Sequence, residues 1–203
     1  ASSQRGPSRP PVAGVPGVDG VDGVDGVDGV RGGRFVTDSS VRRRVYGPGM
    51  AAKLGPVLVT GANSGIGLAS VLRLAARGWD TWGTVRSAAK ADVLADAARQ
   101  AGVASSVHPV VLDVSDHDAV VERWPELPGF HAVVNNAGYS ELGAVEEVSA
   151  EQAKRQLDVN LIAPAVVASC ALPAMRARHA GRIVNISSIA GRAAILPMNA
   201  WYH

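Results

Sequence analysis

Pro56-Val-Leu-Val-Thr60 runs directly into Gly61-Ala-Asn-Ser-Gly65-Ile-Gly67, and this stretch decides the fold. The apolar run reads as a buried strand that ends in a glycine-rich turn. Ile66, Ala69, Val71, Leu72, Ala75 and Ala76 then recur at helical spacing, and Gly78 closes the helix. A glycine-rich turn between strand and helix is where backbone N–H groups and the positive end of a helix dipole meet an anion. Gly61 suits the tight turn, Gly65 lets a pyrophosphate approach the backbone, and Gly67 lets helix and strand pack closely. Asn63, Ser64 and Ile66 lie between these glycines and share the contact surface. The spacing is Gly-x3-Gly-x-Gly, not the commoner Gly-x-Gly-x2-Gly.

Outward from this turn, strands and helices alternate. Strands are expected at Asp80 to Val85, Val107 to Leu112, His131 to Asn135 and Arg182 to Ser187. Helices are expected at Ser87 to Ala101 and, opened by a capping box at Ser149 and Gln152, from there to about His179. The alternation predicts an α/β fold, a Rossmann-type doubly wound parallel sheet with helices on both faces.

Residues 1–49 have a different texture. They hold 11 of the 23 Gly and 5 of the 12 Pro, and Gly recurs every third residue from Gly14 to Gly32, mostly as Gly-Val-Asp. Such triplets suit collagen, but Pro16 is the one proline in the run, so a disordered Gly/Pro-rich tail is the preferred reading over a collagen-like structural role. Met50 reads as the natural start of the dinucleotide-type domain at residues 50–203, with the upstream part a leader or a fusion. The tail carries 7 Arg and 5 Asp, which leaves the rest of the chain with equal numbers of acidic and basic residues. No basic excess there points to nucleic acid or an anionic membrane. One cysteine, Cys170, allows no intramolecular disulfide and favours a reducing compartment, so a cytoplasmic location is expected. The most apolar window, Ala163 to Met175, spans 13 residues and contains two prolines, short of the roughly 20 needed to cross a bilayer. His108, His117, His131, His179 and His203 show no metal-ligand spacing.

About 20 residues past the glycines, the second strand ends where a ribose is read in dinucleotide sites. Val85 stands there with Arg86 next, and a guanidinium suits a 2′-phosphate, so NADP(H) is favoured over NAD(H). Asp113-Val114 follows the third strand, Asn135-Asn-Ala-Gly138 the fourth, and Asp158-Val-Asn160 lies in the long helix. Asn185-Ile-Ser-Ser188 and Tyr202 complete the set. In this order, the motifs resemble the short-chain dehydrogenase/reductase family, of the subgroup with a Thr-Gly-x3-Gly-x-Gly cofactor loop, over about residues 55 to 203. The resemblance implies that Asp113 accepts from the adenine amino group, that Val114 packs on the ring, and that Asn136, Ala137 and Gly138 line the cofactor's ribose side. It implies Ser188 as hydrogen-bond partner of the substrate oxygen, Tyr202 as general acid or base, and Asn160 as holder of a relay water.

In the family a Lys follows the tyrosine by four residues and lowers its pKa, which for free Tyr is near 10. The sequence given stops at His203, so a truncated member lacking the last two strands is expected. The activity implied is hydride transfer between NADP(H) and a small alcohol or carbonyl substrate, in a homo-oligomer when full length. The alternative is a dinucleotide-binding fragment or interaction module without turnover.

Overall fold

The computed structural model describes residues 54–191. Five strands, β1 (Leu54–Val59), β2 (Trp79–Val85), β3 (Val107–Val111), β4 (Ala132–Asn135) and β5 (Arg182–Asn185), form one sheet in the order β3-β2-β1-β4-β5. Every pairing is parallel. Register brings Val59 beside Val134 and Asn135 beside Asn185, so the motif-bearing turns gather along the carboxyl ends of the strands. The order reverses between β1 and β4, the switch point at which open α/β sheets take their ligands.

The two faces are filled separately. Val57, Val59, Val71, Val85 and Leu94 form one core beneath α1 (Gly65–Ala75) and α2 (Ala88–Gln100). Leu58, Val110, Val120, Phe130, Val133 and Val167 form the other, beneath α3 (His117–Arg123) and the long helix. Alternation of Val57 and Val59 against Leu58 along β1 is the period-2 pattern that makes a strand buried on both faces read as a continuous apolar run.

Two features depart from the sequence reading. Helix α3 was not expected; Asp116 caps it by accepting from the Ala119 N–H at 3.0 Å, and Arg123 lies in its last turn. Its seven residues are too few for a clear apolar period. The long helix is also not uniform: α4 (Ala150–Leu157) passes through a π turn, Asp158–Ile162, into α5 (Ala163–Ala177). Pro164 supplies the reason, since it has no N–H for the carbonyl four residues back, that of Asn160, and its ring crowds that oxygen.

The prolines do not break the helix, however, and Ala150–Ala177 forms a continuous run of 28 residues with a window of mean hydropathy 1.6. By length and composition this helix could cross a membrane, so the length argument against a span fails. In the fold, its Ala163, Val167, Ala171 and Met175 side packs into the sheet core. Val167 is buried inward. Residues 1–49 and the expected tail lie outside the described residues.

Candidate active site

The glycine turn is held by hydrogen bonds from residues at the ends of the neighbouring strands. Thr60, at the end of β1, is buried, and its Oγ1 accepts from the N–H groups of Asn136 at 3.0 Å and Ala137 at 2.9 Å. Asn136 returns the contact, donating Nδ2 to the carbonyls of Thr60 at 2.9 Å and Gly61 at 3.3 Å. Thr84 at the end of β2 takes the Gly61 N–H on its Oγ1 at 3.4 Å and the Ala62 N–H on its carbonyl at 2.9 Å. The turn is therefore tied to both neighbouring strands. Gly67 is required by space: a β-carbon there would lie 2.2 Å from the Gly61 oxygen and 2.5 Å from Asn136 Nδ2.

Gly65 is required for a different reason. Its φ is +53°, and a β-carbon built on it meets nothing within 4 Å. Ser64, Gly65 and Ile66 are exposed, and Asn63 is half-buried. Ser64 takes the N-cap position of α1 in extended conformation, yet its side chain makes no capping bond and no acidic residue lies in the first turn. Open space, a bare helix N-terminus and an absent carboxylate make a cradle that fits a pyrophosphate.

The neighbouring turns extend that cradle. Arg86 is exposed at the end of β2, beside Ser87, which caps α2 in extended conformation with its hydroxyl uncommitted to the helix. After β3, Asp113 Oδ1 accepts from the Ser115 N–H at 3.0 Å and hydroxyl at 2.8 Å. These bonds fix the carboxylate and leave Oδ2 for an outside donor such as an adenine amino group. Val114 is buried beneath it, and Ala137 and Gly138 follow Asn136 at the end of β4.

On the other side, Asn135 Nδ2 donates to Asn185 Oδ1 at 2.8 Å and to the Pro164 carbonyl at 3.2 Å, locking β4, β5 and α5 together. Asn160 lies in the π turn, and its side chain is committed to protein. Oδ1 accepts from the Tyr139 N–H at 3.1 Å, and Nδ2 donates to the Tyr139 carbonyl at 2.8 Å. The amide named for a water is thus also a clamp on the backbone after Gly138, with one N–H and one lone pair beyond these two bonds. Ser188 follows β5, half-buried, its Oγ accepting from the Ala190 N–H at 3.2 Å, while Ser187 is exposed. That acceptor bond leaves the Ser188 O–H free to donate. Tyr202 lies outside the described residues.

Comparison with known proteins agrees with this layout. The family model for short chain dehydrogenases matches residues 56–202. The chain belongs to the short-chain dehydrogenase/reductase family. Over 137 residues it is 34% identical to the oxidoreductase YusZ of Bacillus subtilis, covering 66% of this chain and 49% of that one. A Haemophilus influenzae protein named "Probable NADP-dependent dehydrogenase" is 36% identical, with 66% and 53% covered. Among solved structures, a short-chain dehydrogenase of Sphingobium yanoikuyae in complex with NADPH superposes with a TM-score of 0.65 at 33% identity, over 73% of this chain and 59% of that chain. A variant of actinorhodin polyketide ketoreductase with NADPH superposes at 0.69 and 30% identity, over 75% and 60%. The chain spans about half the length of the curated relatives it matches.

Within this short-chain dehydrogenase/reductase, sequence reading singled out the glycines, Asp113 and the Asn-Ala-Gly run, which the structure places at adjacent strand ends, but not the supporting bonds of Thr60, Thr84, Ser115 and Asn135. A hydroxyl or amide residue in or shortly after the carboxyl end of a strand is the signal they share, and it becomes informative only when the strands are placed side by side. Among the described residues no group of three or more His, Cys, Asp or Glu could hold a metal ion.

Proposed function

We propose that the protein is an oxidoreductase that prefers NADP(H) and interconverts an alcohol with its ketone or aldehyde. The observation that carries this reading is the cradle at Gly65: positive φ, open space and an uncapped helix N-terminus at the switch point of the sheet. Pyrophosphate binds there, with Asn63, Ser64 and Ile66 around it. Asp113 Oδ2 takes the adenine amino group over Val114, and Arg86 with Ser87 takes the 2′-phosphate. A charge-assisted fork of this kind discriminates a phosphate from a bare hydroxyl.

The dinucleotide supplies or accepts the hydride when bound. The chain does the rest. Ser188 donates its hydroxyl proton in a hydrogen bond to the substrate oxygen and holds it in place. Tyr202 gives or takes the proton at that oxygen, a role that rests on the family resemblance. Asn160 fixes the Tyr139 backbone with its side chain, which keeps one N–H and one lone pair for a relay water.

Titration of the 203-residue chain with NADPH and NADH, followed by nicotinamide fluorescence, tests the reading. Saturable NADPH binding at least tenfold tighter than NADH is expected, that being about the value of one charge-assisted contact. Equal affinities overturn the NADP(H) preference, and no binding of either overturns the cofactor site. Oxidation of NADPH by a panel of ketones and aldehydes, lost in Tyr202→Phe, tests the chemistry.

A further inference from the structure

We propose that His117 is a positioning residue for this site: its imidazole braces the π turn that carries Asn160, and through Asn160 it fixes the backbone at Tyr139. A π turn is a rare departure from the α register, found mostly as a single turn inside an α-helix and frequently at a functional site. Pro164 explains why the helix leaves the α register here, but a missing bond does not choose the geometry that replaces it. Two donors at one oxygen do. The Asp158 carbonyl accepts the Ala163 N–H, five residues on, which closes the π turn, and it lies 3.2 Å from His117 Nε2. A carbonyl oxygen has two lone pairs and accepts both, so Nε2 carries the proton of this bond.

The direction of the second bond is what matters. In the α register the Asp158 carbonyl would point along the helix axis toward Ile162. A donor arriving from α3, on a neighbouring element, draws the oxygen sideways and favours the wider turn. That turn carries Asn160, whose side chain bonds both the N–H and the carbonyl of Tyr139, at 3.1 Å and 2.8 Å. A two-point clamp is sensitive to the rotation of its base, so loosening the turn releases Tyr139. The brace also begins at the cofactor side: His117 is the first residue of α3, directly after the Asp113–Asp116 turn whose side chains fix Ser115 and cap the helix. It therefore joins the adenine turn to the loop after β4 through four residues. Lys154 pairs with the same Asp158 through its carboxylate at 2.6 Å, but Lys154 is 74% exposed and such surface pairs contribute little.

That Tyr139 and Asn160 border the reacting groups rests on the function proposed above; the brace itself does not. Backbone hydrogen exchange on the full chain tests it, with the Tyr139 amide as reporter because that N–H is the one Asn160 holds. In His117→Phe, which keeps a ring but removes the donor, Tyr139 exchange should quicken about three- to tenfold, the effect of one lost hydrogen bond. Exchange at Val59 and Val133 in the central strands should stay unchanged. His117→Gln, with an amide N–H that reaches the same carbonyl, should restore protection, and Lys154→Ala should leave it intact. Equal quickening at the central strands, no change at Tyr139, failure of Gln to restore it, or a Tyr139 amide unprotected in the unaltered chain each overturns the brace. NADPH titration of the same samples reports on the cofactor reading separately, since a chain that binds no NADPH can still show or lack the brace.

Discussion

Gly65 and Gly67 stand two residues apart in one motif and do opposite work, which makes them separable by substitution. At Gly67 a β-carbon collides with the Gly61 carbonyl and the Asn136 amide, so Gly67→Ala should destabilise the fold by about 1–3 kcal/mol, as overpacking does. At Gly65 the β-carbon enters open space, and the left-handed conformation costs only about 1–2 kcal/mol. Gly65→Ala should therefore fold, yet lose NADPH affinity, because the methyl occupies the ligand's place. Denaturant melts alongside NADPH titration check the pair; an unchanged affinity in Gly65→Ala removes the cradle. Arg86→Asp should weaken NADPH by roughly one to two decades and favour NADH, for a contact of about 1.5–3 kcal/mol. The glycine turn was legible because its meaning is local to a strand–turn–helix unit. Thr60 was not: its hydroxyl bonds lie 76 and 77 residues along the chain, and no local pattern carries that information.

Helices show the same division between local and distant causes. Ser149 and Gln152 form a capping box at the start of α4, with Gln152 N–H on Ser149 Oγ at 3.2 Å and Ser149 N–H on Gln152 Oε1 at 2.9 Å. This was readable from spacing alone. Beside it, Glu151 has its carboxyl held below the ordinary 4.5, first by a backbone hydrogen bond within its own residue and then by the Ser149 side chain. A depressed folded value means that the carboxylate's contribution to the helix is fully present above pH 4.5 and is lost as pH falls through the folded value. Ser149→Ala should lower stability by about 1 kcal/mol and move the Glu151 titration upward, both measurable by denaturant melts and carboxyl NMR. An unmoved Glu151 would contradict the Ser149 contribution. The π turn could not be read in this way. Pro164 announces that something must give four residues earlier, but α-kink, break and π turn are all answers to a proline, and the choice depends on neighbours such as His117 that arrive from another element.

At the scale of the molecule, the sheet is covered unevenly. Helices α1 and α2 overlie β1, β2 and β3 on one face, while α3 and α5 overlie the other from β3 to β5. Ile183 points into the second core, whereas Val184 is 45% and Ile186 41% exposed on the opposite face. Among the described residues β5 pairs with β4 alone, so an apolar face and an open row of backbone donors and acceptors coincide at one border of the sheet. The outward stripe of the long helix adds Leu161 at 60%, with Leu157 and Ile162 also exposed. The apolar run in Arg182 to Ser187 was legible as a strand, but which of its faces stays open depends on the layers around it, a property of the assembled sheet. Strand borders of this composition recruit other chains, and lysine on them is the natural deterrent. Val184→Lys should raise the monomeric fraction of the purified 203-residue chain in size-exclusion chromatography with light scattering, and Leu161→Glu should do so where the helix stripe is the contact. The two substitutions separate the surfaces, since each alters one of them and leaves the other as it is. A monomeric unaltered chain refutes both, and a dimer dispersed by Leu161→Glu alone assigns self-association to the helix.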